Sequence, residues 1–242
     1  EKNKGVKCLK KGERMPIQDV RLENFLLLSV QPDDEGFKMS KPAIINTPKN
    51  SELRPENKLS LKHDNGQLLY LQLRYRSIEN TRAKLISIYS PYVILNSTGK
   101  DLYVEGDKYN ITQCKMSLDG ELKYSKPRMF SFCREDDNRS RARIRFKDSS
   151  WSIPTSFHAI GQSFDLTMEI PHKNQECNVG VHISEGEGKY KYSKVVEIQP
   201  RYIVKNCLDI DIEICECSSG SILTISPRTS VPLYKMRNIL NK

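Results

Sequence analysis

The chain has 242 residues and a formal charge of +9, with 37% hydrophobic, 8% aromatic and 29% charged residues. That content of Leu, Ile and Val argues against disorder. No apolar run approaches the roughly 18 residues a membrane-spanning helix needs. The seven cysteines (Cys8, Cys114, Cys133, Cys177, Cys207, Cys215 and Cys217) are odd in number and show no regular spacing. They read as reduced thiols rather than a disulfide framework. The chain opens at Glu1 with no signal-peptide pattern and reads as part of something longer.

In chain order, the first structural signal is the apolar run Phe25–Leu28, continued to Val30. The stretch 33–57 follows, with Pro32 just before it and Pro42, Pro48 and Pro55 inside it, and is expected to be loop or edge excursions. Then Leu69-Tyr70-Leu71-Gln72-Leu73 alternates apolar and polar residues with period two, as a half-buried strand does. The same alternation returns in Ala142-Arg143-Ile144-Arg145-Phe146, in Val179-Gly180-Val181-His182-Ile183, and from Leu208 through Ile210 and Ile212 to Ile214. Turn chemistry separates these segments at Asp64-Asn65-Gly66, Asp119-Gly120 and Glu185-Gly186-Glu187-Gly188, where glycine supplies positive φ. The best helical pattern, Tyr234–Leu240, is short and uncapped. The expected fold is all-β, built from tandem antiparallel β-sandwich modules.

The modules are visible because the chain repeats itself at a spacing of 110 residues. Lys84–Asn96 returns as Lys194–Asn206, with Lys84/Lys194, Ile88/Ile198, Tyr92/Tyr202 and Asn96/Asn206 identical. A weaker echo sets Met39-Ser40-Lys41-Pro42 against Trp151-Ser152-Ile153-Pro154, and the drift to 112 is what a loop insertion produces. Arrays of stacked units more often bind and space partners than catalyse. The expected division is 1–92 for a first repeat lacking its opening strands, 93–202 for a second, and 203–242 for strands that complete the second or begin a third.

Asn96 and Asn206 end repeated strands, where an amide serves either the backbone of the next turn or a ligand. Arg139, Arg141, Arg143 and Arg145 alternate along one strand, placing four guanidinium groups on one face about 6.8 Å apart. Such a ribbon suits phosphate or carboxylate, or simply keeps a strand soluble. Trp151, the only tryptophan, is expected to plug the core. Cys215 and Cys217 share a strand face, but the four histidines offer no ligand spacing, so neither metal nor cofactor is expected. No phosphate-cradling glycine loop, nucleophile elbow or framed carboxylate pair is present, so the chain is not expected to be an enzyme.

Phe130-Ser131-Phe132, the Arg-x-Arg strand, Ser149-Ser150-Trp151-Ser152, Gly188-Lys189-Tyr190 and Pro200–Asn206 follow one another in an order that resembles the adaptor-binding repeats (formerly the SHR-binding region) of the vacuolar protein sorting-associated protein 13 family. The similarity is fullest over the second repeat and looser over the first, where Met39 stands in the tryptophan's place. The resemblance implies a non-catalytic module of a bridge-like lipid-transfer protein that binds Pro-x-Pro peptides of organelle-specific adaptors. It implies a cytoplasmic protein, peripheral at contact sites of endosome, vacuole or mitochondrion, touching membrane only through adaptors and binding no nucleic acid. Each family repeat carries an asparagine that Asn96 and Asn206 match. A peptide of that kind is already extended and adds readily to a sheet edge. Tyr202, Ile203, Val204, Ile210 and Ile212, beside Asn206, are the expected contact residues. The competing reading is a basic sandwich that docks on anionic lipid or nucleic acid through its arginine strand.

Overall fold

In the computed structural model, residues 7–18, 20–33, 36–81, 83–106, 111–114, 126–133, 139–171, 175–215 and 222–237 are described. Among these residues the regular structure is β, as the alternation predicts, apart from one 3-10 turn at Gly188–Tyr190. The strands are β1 (Leu26–Leu28), β2 (Ala43–Asn46), β3 (Lys58–Lys62), β4 (Leu68–Ser77), β5 (Lys84–Tyr89), β6 (Tyr92–Asn96), β7 (Leu102–Glu105), β8 (Ile111–Cys114) and β9 (Arg128–Phe130). They continue with β10 (Arg143–Phe146), β11 (Ser163–Ile170), β12 (Gln175–Glu185), β13 (Lys194–Pro200), β14 (Tyr202–Lys205), β15 (Ile212–Cys215), β16 (Ile222–Ile225), β17 (Ser230–Leu233) and β18 (Lys235–Arg237). No helix among the described residues is long and apolar enough to cross a membrane.

Two apolar clusters hold the strands up to β13. The first gathers Phe37, Ala43, Leu59, Leu61, Leu69, Leu71 and Leu73, on the antiparallel sheet β3-β4-β5 and its approach. Phe37 comes from the proline-bearing stretch 33–57, so that segment contributes core as well as loop. The second cluster lies between two sheets, β10-β7-β8 and β11-β12-β13-β6-β9. Leu102, Val104, Ile144 and Phe146 enter it from one side, and Leu166, Met168, Val179, Val181, Ile183, Val196 and Ile198 from the other. In β4, β7, β10, β11 and β12 every second residue therefore faces a core, and most residues between them face outward.

Period-two alternation says which face is buried but nothing of strand direction, and one pairing departs from the antiparallel rule. β13 pairs β6 in parallel, from Lys194 opposite Tyr92 to Ile198 opposite Asn96. The repeated segments thus lie side by side, the end of one stretch against the start of the other.

The two clusters are joined by polar contacts. The Tyr70 N–H donates to Ser131 Oγ at 2.8 Å, and buried Gln67 Nε2 donates to Thr112 Oγ1 at 2.7 Å. Further along, β18 pairs antiparallel with β12, and Tyr234 sits in the second cluster. The tail from Tyr234 is therefore strand as far as Arg237, not helix, because its backbone finds the edge of β12.

Turn glycines serve two separate purposes. Gly66 and Gly188 take positive φ, as turn chemistry predicts. Gly186 does not; a Cβ there would run into the Tyr190 carbonyl and lie 2.8 Å from the Ser193 carbonyl oxygen, so the position needs empty space. Asp119-Gly120 lies outside the described residues.

Leu69, Leu71, Leu73, Val179, Val181 and Ile183 are all buried, as their alternation predicts. Val181→Ala is accordingly expected to cost about 1–3 kcal/mol, read as a shift in urea midpoint at unchanged slope.

Candidate functional site

Asn96 and Asn206 are both 1% exposed and do the same job in their two turns. Asn96 Nδ2 donates to the carbonyls of Lys100 (2.7 Å) and Cys114 (3.1 Å), while its Oδ1 accepts from the Thr98 N–H (3.1 Å) and Thr98 Oγ1 (2.6 Å). Asn206 Nδ2 donates to the carbonyls of Ile210 (2.8 Å) and Ile225 (2.9 Å), and its Oδ1 accepts from the Leu208 N–H (2.9 Å). Each amide ties the turn after its strand to the end of a hairpin, β7-β8 in one case and β15-β16 in the other. With both amide hydrogens used, the side chains hold backbone rather than face outward.

That turn corrects the reading of Leu208–Ile214 as one strand. Strand geometry starts only at Ile212; Leu208 and Ile210 lie in the turn that Asn206 holds, exposed at the surface. Around them the chain presents apolar side chains to solvent. Tyr202 is 44% exposed, Ile203 59% and Ile210 67%, with Ile222 also exposed. Val204 and Ile212 are half-buried. β14 pairs β17 along one edge, from Tyr202 opposite Leu233 to Lys205 opposite Ser230, and its other edge is unpaired among the described strands.

The arginine ribbon is shorter than its alternation implies. Ser140, Ala142, Ile144 and Phe146 are buried and the four arginines face the other way, but Arg139 lies in a turn and Arg141 just before β10, so only Arg143 and Arg145 belong to the strand. Nor is this face merely solvated. Arg143 forms an ion pair with Glu105, its cross-strand neighbour, with Nε donating to Oε2 at 2.9 Å. The Arg145 guanidinium lies over the rings of Tyr103 (5.2 Å) and Trp151 (4.9 Å), and Arg143 also reaches Trp151 (5.5 Å).

Trp151 is therefore not the core plug expected. It is half-buried on the outer face and stacks on arginines, while Phe157 is fully buried in the cluster. The reason lies in the serines around it. Ser149 Oγ accepts from the Phe146 N–H at 3.0 Å and Ser152 Oγ from the Ile144 N–H at 3.1 Å, so the segment covers the edge of β10 and alternation turns Trp151 outward. Ser40 does the same for Val30 (2.9 Å), which gives the weaker echo its geometry. Met39 then stands exposed where Trp151 stacks. Sequence reasoning missed Tyr103 and Glu105 as partners of the arginines, since only the β7–β10 register brings them together.

Among the described residues the cysteines form no disulfide and no three His, Cys, Asp or Glu side chains gather in a metal-binding group; Cys217 and His172 lie outside them. Burial pushes the Cys114 thiol up to about 12, against the opposing pull of Arg128, and pushes the Tyr234 hydroxyl up to about 12, helped by Cys177. The unfolded chain ionises these groups near about pH 8.5 and 10. Between those values and 12 the native state holds protons the unfolded state releases, so stability is complete below about pH 8.5 and falls as pH rises toward 12. Thermal midpoints measured from pH 8 to 11 should decline, and Cys114→Ser should flatten the first part of that decline.

An all-β chain whose conspicuous surface features are an exposed apolar strand with a free edge and a stacked arginine face has the construction of a binding domain. Its full length, residues 1–242, matches the family described as vacuolar-sorting associated protein 13, adaptor binding domain, and the chain belongs to that family. The family is a non-catalytic one. Among curated relatives, the intermembrane lipid transfer protein VPS13 of Chaetomium thermophilum is 35% identical over 93% of this chain and 7% of its own length. Intermembrane lipid transfer protein vps13E of Dictyostelium discoideum is 24% identical over 75% of the chain and 4% of its own. VPS13C of Mus musculus is 28% identical over 57% and 4% respectively. The chain thus spans less than a tenth of these proteins.

Proposed function

We propose that this chain is a repeat array that takes up Pro-x-Pro peptides of organelle-specific adaptors in extended form, and so recruits a long lipid-transfer protein to membrane contact sites. The observation that carries the reading is the match to the adaptor-binding family along the entire chain. The exposed strand β14 supports the location: a free edge offers N–H and C=O groups for strand addition, and Tyr202 and Ile203 offer apolar surface to proline rings. Asn206 then acts by shaping the turn beside that strand, and Ile210 and Ile212 extend the apolar surface.

On this reading 1–92 and 93–202 are successive repeats, and 203–242 begins a third. Four correspondences support the last point: β6, β7, β8 and β9 recur in order as β14, β15, β16 and β17, with the same asparagine bonds. The protein works on the cytoplasmic side, peripheral at endosome, vacuole or mitochondrion, and reaches membrane through its adaptors without a cofactor or nucleic acid. Replacing the exposed Ile203 by Asp should weaken Pro-x-Pro peptide binding about tenfold or more while leaving the thermal midpoint within a degree or so, because a central apolar contact carries that much binding energy. Equal affinity of the variant would move the site away from β14.

A further inference from the structure

We propose that Arg145, in contact with the rings of Tyr103 and Trp151, is a recognition site for a carboxylate of an acidic, extended segment of a partner protein. The argument begins with what each arginine of β10 already holds. Arg143 has its carboxylate in Glu105. Arg139 and Arg141 have interactions of their own. Arg145, opposite Tyr103 in the register, has the two aromatic rings and, among the described residues, no carboxylate. Its Nε is buried without a hydrogen-bond partner among those residues, whereas its two terminal nitrogens are not among the buried orphan atoms. A cation partly stripped of water is costly to leave uncompensated, and this one has only ring faces to offset the loss.

The two rings also restrict the group. A guanidinium in contact with two ring faces loses rotational freedom, and the terminal nitrogens of Arg145, which are not among the buried orphan atoms, are the part left to receive a carboxylate through two parallel bonds. One singly charged carboxylate balances one guanidinium. A phosphomonoester, with nearly twice the charge, would leave the excess unmatched. Anionic membranes and nucleic acid gain affinity by summing many basic groups, and of the two arginines on β10 itself Arg143 is already paired with Glu105. Trp151 at the site and, two residues on, the 72% exposed Ile153 offer apolar contact to the residues that flank the carboxylate. The neighbouring β10 edge is closed by Ser149 and Ser152, so the segment lies across the face rather than adding a strand.

Trp151 is the only tryptophan and stacks on Arg145, so its fluorescence reports the site directly. The test titrates the intact chain with matched ten-residue peptides of Ser and Ile whose central residue is Glu, Gln or phosphoserine, and separately with phosphatidylserine vesicles. The proposal predicts a saturable Trp151 change with the Glu peptide and affinity about tenfold or more weaker for Gln, the loss expected when a charge-assisted contact goes. Arg145→Gln should abolish the preference for Glu, and Arg145→Lys, which keeps the charge without the fork, should restore little of it. Equal binding of Glu and Gln peptides, an unchanged preference in a folded Arg145→Lys protein, or a response to vesicles or phosphoserine alone would overturn it. These peptides carry no proline, so the outcome is independent of Pro-x-Pro binding at β14.

Discussion

Phe130→Ala is expected to destabilise the protein by about 3–5 kcal/mol, the range for truncating a fully buried phenylalanine. Phe130 is the hub of an aromatic group. Its ring lies 5.1 Å from Phe132, 6.1 Å from Tyr92 and 6.2 Å from Phe157, each edge to face. Edge-to-face pairs add about 0.5–1.5 kcal/mol each beyond the area they bury, so the loss comes from geometry as well as volume. The ring is also packed against backbone: a Cβ on Gly106 would come within 2.6 Å of Phe130 Cζ. Gly106→Ala should therefore be destabilising in the wild-type background and much less so beside Phe130→Ala, where the cavity accepts the new methyl. Urea midpoints of the two single variants and the double variant measure this coupling, and simple additivity would contradict the packing described.

Asn96→Ala is expected to cost about 3 kcal/mol or more, because one substitution takes the Asn96 partner from the buried Cys114 carbonyl and Thr98 N–H and one of two donors from the half-buried Lys100 carbonyl. Asn206→Ala removes the same kind of turn but should cost the fold less. β6 lies inside a five-stranded path and carries Tyr92 and Ile94 in the second cluster, whereas β14 pairs one strand and is largely exposed. The proposed function reverses the order for binding: Asn206→Ala should weaken Pro-x-Pro peptide affinity more than Asn96→Ala does. Thermal midpoint and peptide affinity measured on both variants separate the two effects. Equal losses of stability would show that the β14–β17 pair is as deeply part of the fold as β6.

Strand faces were legible in the sequence because burial follows a strict period of two, and Leu69, Val181 and Ile144 could be placed inward from that alone. The repeat was legible because the same turn chemistry, set by Asn96 and Asn206, occurs twice. What alternation hides is everything set by register. The parallel pairing of β13 with β6, the carboxylate Glu105 beneath Arg143 and the rings around Arg145 each join residues far apart in the chain. Trp151 was misplaced for a related reason. A large indole favours a core on size, but its neighbours Ser149 and Ser152 satisfy the β10 edge and leave it on the opposite face. The run Leu208–Ile214 shows the same rule failing locally, since the Asn206 amide holds Ile210 in a turn that the apolar pattern cannot announce.

The most direct test of the adaptor-binding reading is calorimetric titration of the chain with an extended Pro-x-Pro peptide against the same peptide with both prolines replaced by alanine. The account predicts saturable one-to-one binding of the first, weakened about tenfold or more in the second through lost preorganisation and apolar contact, and a comparable loss when Asn206 is replaced in a protein that still melts cooperatively. Equal affinity for both peptides, together with no effect of Asn206→Ala, would contradict it.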